Sequence, residues 1–370
     1  MNSRTPLALL GGLRPSQFMR RHWQKKPLLV RQAVPGFESP LSMQDLKALA
    51  AQSDVESRLI TQGPKNWTMR HGPLKARSFP ARNQRAWTFL VQGVNLHDDR
   101  VSDFMRQFRF VPDARLDDVM ISWASDGGGV GPHFDSYDVF LFQAQGRRRW
   151  RIGRSDDLAL QPDVPLKILR RFEPEAEFVL EPGDMLYLPP RYAHDGIAQG
   201  ECMTWSIGFR SAPRHEWARE ILSRLGDHLP VDPVLYGDAQ QACPSSPAQI
   251  PLAMHTHLQS VLKKSLANPM AAQRALGEWL TEPKAEVWFD SSPLWRAGQG
   301  VRLDRRSRML YDRHHVFLNG ESWRASGADA RLLRVLADQG RLNPAQMARA
   351  SADVLTCLQD WCEAGWIRPE

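Results

Sequence analysis

The chain has 370 residues, of which 42% are hydrophobic and 24% are charged. This composition is typical of a globular protein, and the length indicates two or three domains rather than one core. No run approaches the roughly 18 consecutive apolar residues of a membrane span. The N-terminal residues contain no convincing cleavage site, so we expect neither a membrane protein nor a signal peptide.

The net charge of +7 and the isoelectric point of about 9.4 describe a basic surface, which attracts polyanions such as nucleic acid or a ribonucleoprotein. The four cysteines form no CxxC pair. Their spacing does not favour a zinc site. We expect free thiols in a reducing cytoplasm. The cysteines are Cys202, Cys243, Cys357 and Cys362.

The first 60 residues mix strand and helix signals. A breaker precedes an apolar strand at residues 25–31, and Ser42 with Asp45 predicts a capped helix through about Ala51. From residue 60 to 210, short segments rich in β-branched and aromatic residues alternate with turns, which predicts a β-sandwich or barrel. The clearest strands are residues 87–92, 118–123, 137–143, 147–152, 178–180, 185–188 and 203–209, and residues 101–108 are predicted to be helical.

After Pro213 the apolar residues take helical spacing, in residues 215–229, 250–267 and 269–280. The apolar faces of these helices need a partner, which favours dimerisation. Further on, residues 308–318 alternate like a strand and Asn319-Gly320 predicts a hairpin turn. Helices are predicted at residues 328–338 and 351–364. Strands beside short helices are typical of a winged-helix-like domain.

The segment Gly131-Pro-His133-Phe-Asp135 places a histidine and a carboxylate two positions apart. On a strand such residues point to the same side, so both can reach one metal ion. His194 follows later in the β-rich region, after a Pro-Pro turn. Two histidines and one carboxylate on one face of iron leave positions open for a cosubstrate and O2, as in non-haem iron oxygenases.

A histidine with a carboxylate two positions away also occurs by chance. With 11 histidines in the chain, roughly one or two such pairs are expected. Two other pairs share it: His97 with Asp99, and Asp312 with His314. The first falls in a polar loop and the second in the C-terminal region. His133 and Asp135 instead follow a glycine-rich loop, residues 127–131. This loop lacks the P-loop pattern and is predicted to be flexible at the mouth of the site.

Alternation along residues 147–152 predicts that Arg148 shares the core face with Trp150 and Ile152. A buried guanidinium needs an anion, and the far carboxylate of 2-oxoglutarate would be a bidentate partner. Ser122 can add a hydroxyl to the same carboxylate. Thr204 and Ser206 are alternatives, and a hydroxyl that bonds only to the backbone is the structural alternative.

Five segments between about residues 20 and 210 carry specific motifs: Lys25-Lys26-Pro-Leu-Leu-Val-Arg, Gly127-Gly-Gly-Val-Gly-Pro-His133-Phe-Asp135, Tyr137-Asp138-Val-Phe, Gly146-Arg-Arg148-Arg-Trp and Glu181-Pro-Gly-Asp-Met-Leu-Tyr-Leu-Pro-Pro. In this order and spacing they resemble the JmjC ribosomal oxygenases, in particular the bacterial ycfD/RoxA type. The C-terminal part is similar in layout rather than in motifs.

The resemblance implies a mainly β plus α fold in three domains. They are a JmjC double-stranded β-helix of the cupin jelly-roll type in residues 1–212, a helical dimerisation region in 213–282 and a winged-helix-like domain in 283–370. The implied protein is a homodimeric dioxygenase that uses Fe(II), O2 and the cosubstrate 2-oxoglutarate. It would hydroxylate carbon 3 of an arginine in the sixteenth protein of the large ribosomal subunit. His133, Asp135 and His194 would bind iron, and Arg148 and Ser122 would bind 2-oxoglutarate.

Two other functions stay open at this point. A JmjC protein demethylase would have the same iron site, and a cupin with a winged helix could be a non-enzymatic nucleic-acid-binding module. An arginine substrate would need an acidic or aromatic partner, for which Asp126, Tyr137 and Asp138 are the candidates. Direct nucleic-acid binding is not decided by the sequence.

Overall fold

The computed structural model describes residues 5–63, 66–81, 83–155, 157–229, 232–243 and 245–370. The chain divides into two compact units. The first extends to Ser211 and also includes residues 285–288, and the second comprises residues 212–284 and 289–370. Among the helices of the described ranges, none combines the length and the apolar character that crossing a bilayer requires.

The first unit is a β-sandwich with short helices in its N-terminal part. Its helices are α1 (Pro15–Arg21), α2 (Met43–Ala50) and α3 (Asp99–Met105). Its strands are β1 (Leu28–Val30), β2 (Ser57–Gln62), β3 (Trp67–His71), β4 (Trp87–Val91), β5 (Leu116–Ala124), β6 (Val139–Gly153), β7 (Ala176–Leu180), β8 (Met185–Leu188) and β9 (Ala193–Phe209). They pair in the order β1-β8-β6-β9-β5-β4-β2-β3, with β7 on β6. The predicted cap of α2 is confirmed, since Ser42 accepts a hydrogen bond from the Asp45 N–H.

Two long strands connect the layers of this sandwich. The first part of β6 pairs with β8 and the second part with β7, while β9 pairs with β6 throughout and with β5 in its second part. The pairing of β6 with β9 is irregular around Gly146, which has φ 64°, and the β9 residue Gly200 has φ 77°. A Cβ at Gly146 would lie 2.1 Å from the Glu201 carbonyl oxygen, so the bend requires glycine.

This geometry corrects two sequence predictions. Residues 137–143 and 147–152 were expected to be two strands separated by a turn, but residues 139–143 and 147–152 belong to the single strand β6, and residues 137–138 precede it. The predicted strand 203–209 is the second part of β9, which already begins at Ala193. In both strands a glycine bends the chain without reversing it, so pairing with the neighbour resumes after the bend.

The two faces of β6 have different environments. Phe140 and Phe142 belong to a large aromatic core, to which α1 contributes Phe18 and α2 contributes Leu46. The opposite face belongs to a smaller apolar cluster of Val139, Leu141, Trp150, Ile152, Leu180, Leu186 and Leu188. Several buried polar side chains also lie on strands of this unit: Ser122, Gln143, Arg148, His194 and Thr204. Buried polar groups need partners, so they mark the candidate site.

The second unit combines helices with two small antiparallel sheets. Its helices are α4 (Arg214–Asp227), α5 (Leu252–Ser265), α6 (Pro269–Thr281), α7 (Gly327–Gln339), α8 (Pro344–Met347) and α9 (Ala352–Glu363). Its strands are β10 (Val301–Leu303), β11 (Met309–Tyr311), β12 (His315–Leu318), β13 (Glu321–Arg324), β14 (Arg341–Leu342) and β15 (Ile367–Pro369). The sheets have the orders β14-β10-β15 and β11-β12-β13.

The hairpin predicted at Asn319-Gly320 joins β12 to β13 and is confirmed, with φ 50° and 90° at the two turn residues. The single strand predicted at residues 308–318 is wrong. It is split by a turn in which the carboxylate of Asp312 accepts the N–H groups of His314 and His315. An Asp that bonds the backbone two and three residues ahead is a turn signal.

Candidate active site

An isolated antiparallel bridge brings the two predicted histidines together. The N–H of His133 donates to the carbonyl of His194 at 3.0 Å, and the N–H of His194 donates back to the carbonyl of His133 at 2.8 Å. Such a reciprocal pair fixes two residues side by side. The imidazole centroids are 4.3 Å apart. His133 therefore lies in a bridge, not in the regular strand that the i, i+2 argument assumed.

Both imidazoles are oriented by backbone carbonyls. Nδ1 of His133 lies 2.9 Å from the oxygen of Gly131, and Nδ1 of His194 lies 3.0 Å from the oxygen of Tyr192. Because a carbonyl only accepts, each Nδ1 must carry the proton, which leaves the lone pair on Nε2. Metal-binding histidines are held in this way.

Burial, followed by the nearby His133, lowers the pKa of His194 to about 4. The His194 imidazole is therefore neutral at neutral pH and offers a lone pair. Its Nε2 lies 3.7 Å from Oδ2 of Asp135. One donor atom from each of His133, Asp135 and His194 lies within 4.8 Å of the other two. This is a donor set that one divalent metal ion can bind while keeping coordination positions open.

The backbone at Asp135 is tied to the turn between β8 and β9. Its carbonyl accepts the Arg191 N–H at 2.6 Å. The side chain of Asp135 stays 24% exposed, whereas that of His194 is 3% exposed. The three donors therefore form a centre that is closed on the His194 side and accessible on the Asp135 side.

The glycine-rich loop is held by close packing. Gly127 donates to the Ala198 carbonyl, and Gly128 accepts from the Ala198 N–H, each at 2.9 Å. A Cβ would lie 2.3 Å from the Trp87 carbonyl oxygen at Gly128 and 2.5 Å from the Gly196 oxygen at Gly129. The loop is pinned to β9, so the prediction of a flexible loop at the site mouth is wrong; the glycines permit the close approach.

Arg148 points inward, as strand alternation predicted. It is 4% exposed, while Arg147, Arg149 and Arg151 are exposed or half-buried. No carboxylate forms an ion pair with Arg148 in the described residues, and its Nε has no hydrogen-bond partner there. A buried cation without a counter-ion is unfavourable, so an anion bound beside Arg148 would be stabilised.

Hydroxyl groups from two strands contact this guanidinium. Nη1 of Arg148 donates to Oγ of Ser122 at 3.0 Å and to Oγ1 of Thr204 at 3.2 Å. Oγ1 of Thr204 in turn donates to Oε1 of Gln143 at 3.0 Å. Ser122 and Thr204, considered as alternatives in the sequence, thus lie together. Gln143 was missed, although a polar residue inside an apolar strand was a usable signal.

Two family profiles match the chain, the JmjC domain at residues 103–217 and the ROXA-like winged helix at residues 264–368. The ribosomal protein uL16 3-hydroxylase of Escherichia coli is 35% identical over 276 residues, which cover 73% of this chain and 72% of that protein. The chain belongs to the JmjC ribosomal oxygenase family. A probable ribosomal oxygenase of Haemophilus influenzae is 37% identical over 201 residues, covering 53% of this chain and 49% of that protein.

Solved structures show the same fold for this ribosomal oxygenase. Escherichia coli YcfD superposes with a TM-score of 0.84 at 30% identity, covering 97% of this chain and 98% of that one. A YcfD structure in complex with cobalt and 2-oxoglutarate has a TM-score of 0.81 with the same identity and coverage. The predicted fold class, a cupin-type JmjC β-sandwich followed by helices and a winged helix, is confirmed.

The structure separates the candidate substrate contacts of this oxygenase. Asp138 is fully buried and accepts hydrogen bonds from Tyr187 and Gln24, so it is a structural residue. Asp126 accepts the Gly200 N–H and pairs with an arginine. Tyr137 is 39% exposed; partial burial and then Asp135 raise its pKa. Tyr137 is therefore the candidate with a free face near the metal centre.

The two other histidine–carboxylate pairs are structural. Asp312 caps the turn described above, and Asp99 is the first residue of α3, just after the N-cap residue Asp98. Neither pair belongs to a group of three metal-binding side chains in the described part of the chain.

Proposed function

We propose that this ribosomal oxygenase is an iron(II)- and 2-oxoglutarate-dependent hydroxylase of an arginine side chain, at carbon 3, in ribosomal protein uL16. The observation that carries the proposal is the combination of the three-donor centre with the buried, carboxylate-free guanidinium of Arg148 in one β-sandwich. The name of the Escherichia coli relative and the YcfD complex with cobalt and 2-oxoglutarate support it.

His133, Asp135 and His194 would hold the iron. Three protein ligands leave positions open, which a structural four-ligand site would not. Bound iron supplies the oxidising chemistry by which one oxygen atom of O2 enters a C–H bond while 2-oxoglutarate is converted to succinate and CO2. The Gly131 and Tyr192 carbonyls keep the two Nε2 lone pairs directed at the centre.

Arg148 and Ser122 would bind the far carboxylate of 2-oxoglutarate, with Thr204 as a third contact. Nη1 of Arg148 is already positioned by both hydroxyls, so little side-chain freedom is lost on binding. The carboxylate would neutralise the buried guanidinium through charge-assisted hydrogen bonds. Tyr137 would offer its exposed ring to the substrate guanidinium.

Incubation with iron(II), 2-oxoglutarate, O2 and uL16, followed by mass spectrometry, tests the proposal. We expect one arginine to gain one oxygen atom, with an equimolar release of succinate. Loss of a methyl group from a methylated peptide, without gain of oxygen on uL16, would instead identify a demethylase. Absence of iron-dependent succinate release together with salt-sensitive RNA binding would identify a binding module.

We also propose a cytoplasmic homodimer with a three-domain division at residues 1–212, 213–282 and 283–370. A ribosomal substrate and free cysteines fit the cytoplasm. The helix α5 has no buried residue within its unit and exposes a stripe of large apolar side chains: Leu252, Met254, Leu258, Val261 and Leu262. A patch of this kind marks a contact surface.

Replacing Leu258 with glutamate is expected to convert the dimer to a monomer, because a charge would be buried in the apolar contact. Sedimentation equilibrium measures the mass of each variant. Ser260→Glu, on the opposite face of the same helix, adds the same charge outside the stripe and should stay dimeric. A monomeric wild-type chain, or a dimer that survives Leu258→Glu, would contradict the proposal.

A further inference from the structure

Trp150 is a second buried donor near the metal centre. It lies on β6 two residues after Arg148 and is 5% exposed. In the described part of the chain it is the one tryptophan whose buried Nε1 lacks a hydrogen-bond partner. The indole N–H of Trp87 donates to the Gln84 carbonyl, and that of Trp205 donates to the Met203 sulfur. An unpaired buried donor is unfavourable, so an acceptor is expected.

The indole of Trp150 is close to both parts of the site. Its ring centroid is 5.3 Å from Cζ of Arg148 and 5.8 Å from the imidazole centroid of His194. Strand pairing sets this arrangement, because Trp150 is opposite Gly196, Arg148 is opposite Ala198, and all of these residues share the inner face. The ring is therefore within reach of a molecule that contacts both the guanidinium and the His194 side chain.

Gly196 determines how the indole is turned. A Cβ at Gly196 would lie 2.6 Å from Cζ3 and 2.7 Å from Cη2 of Trp150, so the benzene end of the ring abuts that strand. The pyrrole N–H lies at the other side of the ring system, away from the atoms that abut Gly196. Nε of Arg148, on the same face, also has no partner among the described residues.

We propose that Trp150 is a further cosubstrate-binding residue. Its N–H donates a hydrogen bond to an oxygen of 2-oxoglutarate, and its ring forms the wall between Arg148 and His194. A dicarboxylate held by Arg148 at one end and by the metal centre at the other brings acceptor oxygens past the indole. The inference rests on the proposed function, because it takes 2-oxoglutarate as the ligand.

Calorimetric titration of 2-oxoglutarate into the zinc-loaded full chain tests this inference without turnover. Trp150→Phe keeps an aromatic ring and removes the N–H. We expect it to weaken binding roughly 10-fold or more, as for a lost hydrogen bond to a charged group. Trp87→Phe is the matched control, since it removes a paired indole N–H elsewhere in the unit. Its affinity should stay within about twofold of wild type.

A second readout uses the wild-type chain, so it does not depend on a variant's affinity. In a spectrum of the ¹⁵N-labelled indoles of the 13 tryptophans, 2-oxoglutarate should move one indole proton downfield. Trp150→Phe, or Trp150→Tyr if the first does not fold, should lack that signal.

Two results would overturn the proposed role of Trp150 while leaving the proposed function standing. One is an equal affinity of wild type and Trp150→Phe for 2-oxoglutarate, and the other is a shifted indole signal that is still present in the variant. The buried N–H would then be paired by water. If the wild type and Trp87→Phe also fail to bind 2-oxoglutarate, the proposed function itself is wrong, and the inference falls with it.

Discussion

Replacement of His194 by alanine is expected to abolish hydroxylation and metal binding while leaving the fold intact. The side chain would supply one of three metal ligands, and the backbone hydrogen bonds of His194 to His133 do not depend on the imidazole. Loss of a group that only orients a ligand lowers metal affinity by about 10–100-fold, so loss of the ligand itself should exceed that range. The same is expected of His133→Ala and Asp135→Ala.

Titration with cobalt(II), followed by its visible absorption, measures this effect independently of turnover. The matched control is His97→Ala, because His97 also has a carboxylate two positions away but lies outside the three-donor centre. It should bind cobalt like the wild type. Cobalt binding retained by all three ligand variants would show that the metal is held elsewhere.

Replacement of Arg148 by methionine is expected to remove 2-oxoglutarate binding without destabilising the ligand-free protein. Removing one partner of a buried, hydrogen-bonded charge pair costs about 2–5 kcal/mol of binding, a loss of about 30-fold to several thousand-fold in affinity. In the ligand-free state, however, the guanidinium is buried without a carboxylate partner among the described residues. An apolar side chain of similar length removes the free-energy cost of burying that unpaired charge.

Thermal unfolding with and without 2-oxoglutarate separates the two effects. The wild type should gain stability with ligand, in proportion to the logarithm of its concentration over Kd. Arg148→Met should show no such gain, with a melting temperature in the ligand-free state equal to or above that of the wild type. Arg149→Met, on the opposite face beside Glu177, should respond to 2-oxoglutarate like the wild type. Unchanged affinity in Arg148→Met would refute the proposed contact between Arg148 and 2-oxoglutarate.

The inward position of Arg148 was predictable because alternation is a local property of extended backbone. Trp150 and Ile152 mark the core face, and the structure confirms the same parity for Arg148. The spacing argument for His133 and Asp135 led to two residues that the structure does place together, but its reason was incomplete. His133 is in an isolated bridge, and the Asp135 backbone is held by a turn from another part of the chain.

Other features were hidden because they depend on residues distant in the chain. The continuity of β6 through Gly146 depends on its pairing with β9. The residues around Gly146 alone do not predict this pairing. Gln143 is connected to the site only through Thr204, and the indole of Trp150 is turned by the missing side chain of Gly196.

The sequence by itself determined the chemistry that is available: two histidines and a carboxylate, one inward arginine, and an order of motifs that resembles one family. These follow from residue type and from the short-range periodicity of the backbone. Only the tertiary structure decided which groups share one space, that the glycine loop is packed rather than loose, and which buried donors lack partners. Convergence of that kind is set by long-range strand pairing, in which a bend or a one-residue shift changes every neighbour of a side chain.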